Sequence, residues 1–333
     1  MINKNQHKKM KAIICPKYGS PDILELKEVE KPFPGDNEIL IKVYATSLNA
    51  ADWHIMRGDP AIYRPVIGLL KPKYKILGAD VAGRVESVGK SITQFKPGDE
   101  VFGNLSACGF GGFAEFVCAD ENALVLKPVN TTFEEAAAVP LAAISALQGL
   151  CDCGQIQPGQ KVLINGASGG VGTFAIQIAK SFGANVTGVC STGKMDMVKS
   201  IGADHVIDYT KTDFTRNGQQ YDLIVAANGD RSILDYKRAL TSTGRYVMIG
   251  GSGTQMAQAI FLGPFLSLTS GKKMGSLIAK ANQKDLFLLK ELLETGKIKP
   301  VIDRRYTLSQ VQEAMRYLEE GHAKGKIVIN TEQ

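Results

Sequence analysis

The stretch Lys161-Val-Leu-Ile-Asn-Gly-Ala-Ser-Gly-Gly-Val-Gly172 decides the fold. Val162, Leu163 and Ile164 are a short apolar run of β propensity, suited to a strand buried on both faces. Glycines follow at 166, 169, 170 and 172, after which Val171, Ala175, Ile178, Ala179 and Phe182 recur at helical spacing until Gly183 stops the pattern. Such a turn needs glycine for three reasons: the chain bends tightly, its backbone approaches a pyrophosphate, and the helix packs closely on the strand. The helix N-terminus then offers unbonded N–H groups and a partial positive charge to phosphates.

Outward from this unit, Asn185-Val-Thr-Gly-Val-Cys190 supplies the second strand of a βαβ unit. A fold that prefers NAD usually carries an acid about 20 residues past the glycines, on the ribose 2′-OH. Here the strand runs into Cys190-Ser-Thr-Gly-Lys194, with two hydroxyls and an ammonium in place of the acid. That set suits a 2′-phosphate and predicts NADPH; the alternative is an N-capped helix start with an exposed Lys194. Further strands are expected at 205–209, 222–226, 245–249 and 275–279, with helices at 194–201 and 232–240, describing an α/β doubly wound parallel sheet.

Residues 11–125 read differently. Strand-like runs at 11–15, 38–44, 81–89 and 111–117, and a short strand that follows a Pro-Gly turn within 96–103, alternate with turn clusters such as Pro34-Gly-Asp36, which argues a closed or partly closed barrel. From Thr132 a helical pattern led by Glu134 and Glu135 continues to Leu150, with a kink expected at Pro140. Phe261-Leu-Gly-Pro-Phe-Leu266 is apolar and interrupted, readable as a pocket wall, a dimer contact or a loop packed on the sheet. Amphipathic helices at 284–295 and 309–320 and a closing strand at 325–329 complete the chain, the strand returning to the first domain.

Composition bounds the function. The chain has 333 residues, 44% hydrophobic and 22% charged, with a net charge of +6 spread too evenly for a nucleic-acid surface. No apolar run spans a bilayer, and the basic N-terminus lacks the apolar core of a secretory signal. Six scattered cysteines fit reduced thiols in a cytoplasmic protein, Cys151 and Cys153 included.

Taken in order, Ser47-Leu-Asn-Ala-Ala-Asp52, Gly78-Ala-Asp-Val-Ala-Gly83, Lys96-Pro-Gly-Asp99, Gly111-Gly-Phe-Ala-Glu115, Gly166-Ala-Ser-Gly-Gly-Val-Gly172, Gly202-Ala-Asp-His-Val-Ile-Asp-Tyr209 and Tyr317-Leu-Glu-Glu-Gly-His-Ala-Lys-Gly-Lys326 carry a resemblance. Along nearly its whole length the chain resembles the zinc-independent quinone oxidoreductase branch of the medium-chain dehydrogenase/reductase superfamily. The resemblance implies a GroES-like β-barrel catalytic domain from residues 1–130 and 283–333, with a Rossmann NADP-binding domain at 131–282 between them. Zinc-containing relatives carry a Cys where this chain has Asn49, a His where it has Ala79, and another Cys near Leu141 and Ala142. Only Cys108 and Cys118 fall in the region of their structural lobe, and His7, His54, His205 and His322 lack metal-ligand spacing. The expectation is a site without metal.

The resemblance also implies roles. Asn49 sits beside nicotinamide and substrate with its amide able to donate to a carbonyl oxygen, or else caps a turn, while Asp52 fixes the loop. Tyr63 lies near where some enoyl reductases place a proton-donating tyrosine; lid packing is the alternative, with water as proton source. Ser168, Gly169, Gly170 and Val171 take the pyrophosphate. Ser191, Lys194 and Tyr209 serve the 2′-phosphate region, Tyr209 with core packing as its alternative. Asn228 and Gly250 end strands that line the crevice. Lys326 reaches the cofactor cleft or is a surface lysine. The expected activity is hydride transfer from NADPH to quinones or α,β-unsaturated carbonyl compounds by a homodimer joined through the Rossmann sheet edge. The alternatives are a trans-2-enoyl thioester reductase and a non-catalytic NADPH-binding protein.

Overall fold

Apolar alternation broken by Gly and Pro turns produces a strand-rich chain. The computed structural model describes residues 8–229 and 231–331, so His7 and most of the basic N-terminal segment lie outside the described residues. In chain order the strands are β1 Lys9–Ile14, β2 Glu25–Glu30, β3 Glu38–Leu48, β4 Asp80–Val88, β5 Glu100–Asn104, β6 Phe116–Asp120, β7 Leu124–Leu126, β8 Lys161–Asn165, β9 Asn185–Cys190, β10 His205–Asp208, β11 Tyr221–Ala226, β12 Leu240–Met248, β13 Lys273–Ser276, β14 Ile302–Thr307 and β15 Lys326–Asn330. They fall into two units: the described residues of Met1–Leu141, Ala281–Glu294 and Ile302–Gln333, and those of Ala142–Lys280 with Thr295–Val301.

In the second unit β8 to β13 form one sheet in the order β10-β9-β8-β11-β12-β13, every pairing parallel. The order reverses between β8 and β11, which is the switch point where open α/β sheets bind dinucleotides. Val162, Leu163 and Ile164 are fully buried, as a strand covered on both faces requires. All six expected strands are present. The one read at 245–249 overlaps the longer β12, which ends at Met248, and the one read at 275–279 overlaps β13, which starts and ends earlier.

In the first unit the sheet runs β14-β15-β3-β4-β5-β7, with β6 also on β3, while β1 and β2 form a separate antiparallel pair. The path from β14 to β7 is the partly closed form of the expected barrel, wrapped over Ile39, Ile41, Val81, Val101 and Leu124. β15 pairs antiparallel with β3, so the closing strand does return to the first domain. At Gly83 the β3–β4 register shifts, and a Cβ there would lie 2.1 Å from Lys42 O. Only glycine admits that approach.

Several expectations need correction. Residues 111–115 form no strand. Gly111 has φ 114° and Gly112 packs its Cα against the backbone of Gly78 and Asp80, so the small residues serve close approach and β6 begins at Phe116. The Pro97-Gly98 turn expected before a short strand is, by contrast, present, with Gly98 at φ 95° ahead of β5. The helix read through Leu150 is broken. Phe133–Ala137 opens on a capping box in which Thr132 Oγ1 accepts from Glu135 N at 3.1 Å and Glu135 accepts from Thr132 N at 2.9 Å. Pro140–Gln148 starts on its proline, and a π-turn follows at Gly149–Cys153. The boundary expected at 130/131 lies at 141/142, because Phe133–Ala137 packs on β3 and β4. Phe261–Leu266 is helical, not a loop: Pro264 opens the helix Gly263–Thr269. Ala259 and Leu266 reach the core, whereas Phe261, Phe265 and Leu268 stay exposed. No helix among the described residues is long and apolar enough to cross a membrane.

Candidate functional site

In the first unit, β3 ends at Leu48 and the helix Ala50–Arg57 begins, leaving Asn49 at the junction in extended backbone (φ −132°, ψ 157°). Around this junction the fold buries four polar side chains. Asp80, at the start of β4, is fully buried, Asp52 likewise, Asn49 is 8% exposed and Lys326, at the start of β15, only 2%. A buried charge is tolerated only when paired and hydrogen-bonded. Lys326 Nζ meets that demand by donating to Asn49 Oδ1 at 2.6 Å, Leu48 O at 3.1 Å and Asp80 Oδ2 at 3.3 Å. Asp80 Oδ2 also accepts from Ser47 Oγ at 2.5 Å and Asn49 Nδ2 at 2.9 Å, and its Oδ1 accepts from Leu141 N at 2.8 Å. The surface-lysine reading of Lys326 is therefore wrong, because Leu48, Asn49 and Asp80 give its ammonium three acceptors inside the fold and only 2% of the residue stays exposed.

Asp52 does fix the loop, as expected. Its carboxylate accepts from Asn49 N at 2.9 Å and Gly78 N at 3.0 Å, stapling the helix start to the chain before β4. Burial pushes its carboxyl up to about 7; Asp80 adds to the rise, while the two N–H groups and Lys326 oppose it. Asn49 holds both a turn position and the polar cluster. Its amide gives one firm bond to Asp80 and one long bond, 3.4 Å, to Ser47 O. Tyr63 ends the short 3-10 turn Ala61–Tyr63 on the segment after this helix, and partial burial pushes its phenol up.

In the second unit the glycine turn meets the steric requirements of a phosphate cradle. Gly166 has φ 81°, and a Cβ there would lie 2.7 Å from Asn228 N. A Cβ on Gly172 would lie 2.1 Å from Gly166 O, whereas one on Gly169 meets nothing nearer than 3.6 Å. Gly169 takes the N-cap position of the helix Gly170–Ser181, Gly170 and Val171 are its first residues, and Ser168 is 7% exposed beside them. The donors of this first turn have no partner within the helix, as at any helix start. These features fit a dinucleotide pyrophosphate: an open outer face, backbone donors, and glycine where the chain closes on itself.

The strand ends bring further residues beside the turn. Asn228 N and Ala227 N both donate to Asn165 O, and Gly250 N donates to Ala226 O at 3.2 Å, so Asn228 and Gly250 cap β11 and β12 at the carboxyl edge. After β9, Ser191 precedes the turn Thr192–Lys194 without using its side chain as a cap, and a Cβ on Gly193 meets nothing within 4 Å. Tyr209 N donates to Cys190 O at 3.2 Å and its side chain is 45% exposed, which removes the core-packing alternative. Reading the sequence missed Asp208. Its carboxylate accepts from Thr192 Oγ1 and from Thr210 Oγ1 at 2.7 Å, and these bonds hold its carboxyl below the usual range. One of the two hydroxyls counted toward a 2′-phosphate is thus committed to an acid, leaving Ser191, Lys194 and Tyr209. Among the described residues no group of three His, Cys, Asp or Glu side chains is placed to hold a metal ion.

Comparison with known proteins bears on both units. Residues 35–129 match the alcohol dehydrogenase GroES-like domain family and residues 201–329 the zinc-binding dehydrogenase family. A chloroplastic quinone oxidoreductase of Triphysaria versicolor is 35% identical over 97% of this chain and 98% of its own. A chloroplastic NADPH-dependent alkenal/one oxidoreductase of Arabidopsis thaliana is 34% identical over 97% of this chain and 80% of its own. Among solved structures, the quinone oxidoreductase of Coxiella burnetii superposes with a TM-score of 0.87 at 30% identity, covering 98% of this chain and 100% of that one. Whole-length identity at this level, on the same two folded units, places the chain in the quinone oxidoreductase branch of the medium-chain dehydrogenase/reductase superfamily.

Proposed function

We propose that the protein is a zinc-independent, NADPH-dependent reductase of quinones and α,β-unsaturated carbonyl compounds. The observation that carries this reading is the intact phosphate turn at 166–172 in a chain that aligns along 97% of its length with relatives named for those activities. When bound, the reduced nicotinamide supplies the hydride. The protein's own contribution is to receive the charge that hydride addition creates on the substrate oxygen. Asn49 suits that role. Its bond to Ser47 O, at 3.4 Å, is weak enough to be exchanged for a substrate carbonyl, and its firm bond to Asp80 keeps the amide aimed. Lys326, 2.6 Å behind Oδ1, draws electron density from the amide and strengthens its N–H as a donor. Tyr63, a phenol on the segment after the Asn49 helix, donates the proton that converts the enolate left by hydride addition into the saturated carbonyl product.

Ser191, Lys194 and Tyr209 around the open Gly193 support NADPH over NADH. The chain acts as a homodimer through the edge strand β13, where Phe261, Phe265, Leu268 and Ile278 leave apolar surface exposed. The activity is tested by NADPH oxidation with the purified protein against 1,4-benzoquinone, 9,10-phenanthrenequinone, an enone, an enal and crotonyl-CoA. Turnover on quinone or enone supports the reading. Tight NADPH binding with no turnover on any acceptor overturns it in favour of a non-catalytic binding protein.

A further inference from the structure

Residues 64–76 of the first unit carry a feature that neither the fold nor the proposed reaction uses. The short helix Arg64–Ile67 ends on Gly68 at φ 123°, and the chain folds back so tightly that a Cβ on Gly68 would lie 2.0 Å from Lys71 O. The base of this turn is well held. Gly68 N donates to Arg64 O at 2.8 Å, Lys73 N to Ile67 O at 2.7 Å and Arg64 Nε to Gly58 O at 3.0 Å, while Tyr18 Oη donates to Gly68 O. What this held turn presents at its tip is Leu69, 69% exposed, and Leu70, 90% exposed, with Val66 at 73% beside them.

The residues that follow are equally ordered. Cys15 N donates to Lys75 O at 2.7 Å, fixing the ribbon against the end of β1, and Tyr74 packs its ring on Phe110 at 4.9 Å. Period-2 alternation then buries Pro72 and half-buries Tyr74 and Ile76, leaving Lys71, Lys73 and Lys75 exposed on the opposite face. Between Asp59 and Asp80 the sequence contains no acid, and Asp80 is buried in the polar cluster. Two leucines at a rigid tip with three lysines behind them combine an apolar anchor with a cationic collar.

We infer that this turn docks the protein reversibly on an anionic lipid surface, with Leu69 and Leu70 entering the interface and Lys71, Lys73 and Lys75 on the headgroups. The charge complementarity is specific: a neutral or cationic partner would leave the acid-free lysine face without a counter-charge. A lysine beside an anionic leaflet strengthens binding about fivefold, and a buried leucine side chain by about tenfold or more. Binding that depends on three lysines is screened once the Debye length falls below the headgroup distance. This inference goes beyond the proposed reaction and does not depend on it, since its readout is vesicle binding without substrate or cofactor.

The test is flotation of the full chain with vesicles of phosphatidylcholine alone or mixed with phosphatidylglycerol, at low and high salt. The wild type is expected to float with phosphatidylglycerol at low salt and to be released by high salt. A Leu69→Ser/Leu70→Ser variant and a Lys71→Glu/Lys73→Glu/Lys75→Glu variant, each checked for an unchanged melting temperature, are expected to bind at least about a hundredfold more weakly. A Phe33→Ser variant, which removes an equally exposed apolar side chain elsewhere in the first unit, is expected to float like the wild type. No flotation of the wild type at low salt overturns the inference. So does undiminished flotation of either loop variant, or loss of flotation only in the Phe33→Ser variant.

Discussion

Replacing Lys326 by Met keeps the length of the side chain and removes its charge, so the outcome separates a surface lysine from the hub of a buried cluster. The structure sets the magnitude. Three acceptors lose their donor at once: Leu48 O, Asn49 Oδ1 and Asp80 Oδ2. Asp80, at 0% exposure, becomes a buried carboxylate facing no cation. Breaking a buried ion pair from one side costs about 3–5 kcal/mol, whereas a surface lysine lies within about 0.5 kcal/mol of neutral. For a unit of this size the melting temperature moves by about 2–4 °C per kcal/mol, so a fall of at least about 6 °C is expected. The chain's single tryptophan, Trp53, lies on the helix that begins beside Asn49, so fluorescence in a urea titration reports on this unit. The loss is expected to be partly recovered by adding Asp80→Asn, which removes the uncompensated buried charge. A Lys326→Met midpoint within about 0.5 kcal/mol of wild type would refute the cluster.

Other consequences are as concrete. The Asp52 carboxyl, with an ordinary value of 3.8, is raised to about 7 in the fold, so the folded state binds its proton more tightly. Its contribution to stability is full below about pH 4 and declines as pH rises through 7, on the order of 1.4 kcal/mol per pH unit. Asp52→Asn is expected to remove that slope from denaturant midpoints measured across the range; an unchanged slope would show that another group carries it. Gly172→Ala places a Cβ 2.1 Å from Gly166 O, where no flexible side chain can yield. The turn must shift, so NADPH affinity by calorimetry is expected to fall more than about tenfold with about 1–3 kcal/mol of stability; wild-type affinity would argue against the cradle. Lys194→Glu is expected to raise KM for NADPH and leave that for NADH little changed, whereas equal effects on both would place Lys194 away from the 2′-phosphate.

How much of this was legible in the sequence depends on the range of the interaction. The central strands β8 and β11 announced themselves because strands buried on both faces carry continuous apolar runs, and glycines 166, 169, 170 and 172 marked where a backbone needs room. The segment 111–115 misled for the same reason inverted. Its small residues mimic strand alternation, but they are there so that Gly112 can approach Gly78 and Asp80. Pro264 read as an interruption and instead sits in the first turn of Gly263–Thr269, directly after the π-turn Gln258–Leu262, where a missing N–H does little harm. Lys326 was hardest, since its partners Asn49 and Asp80 lie 277 and 246 residues away and periodicity carries no long-range polar pairing. One signal was available: an Asp between Ala79 and Val81 on a buried strand demands a counter-charge from somewhere.

The central claim is conjugate hydride addition, and its most direct measurement follows the hydrogen. NADPH deuterated at the reactive face of C4 is incubated with the protein and an enone, and the product is read by NMR. The account predicts deuterium on the β-carbon of a saturated ketone, with the α-hydrogen drawn from solvent. Deuterium on the carbinol carbon of an allylic alcohol would contradict it, because the protein would then be reducing the carbonyl itself.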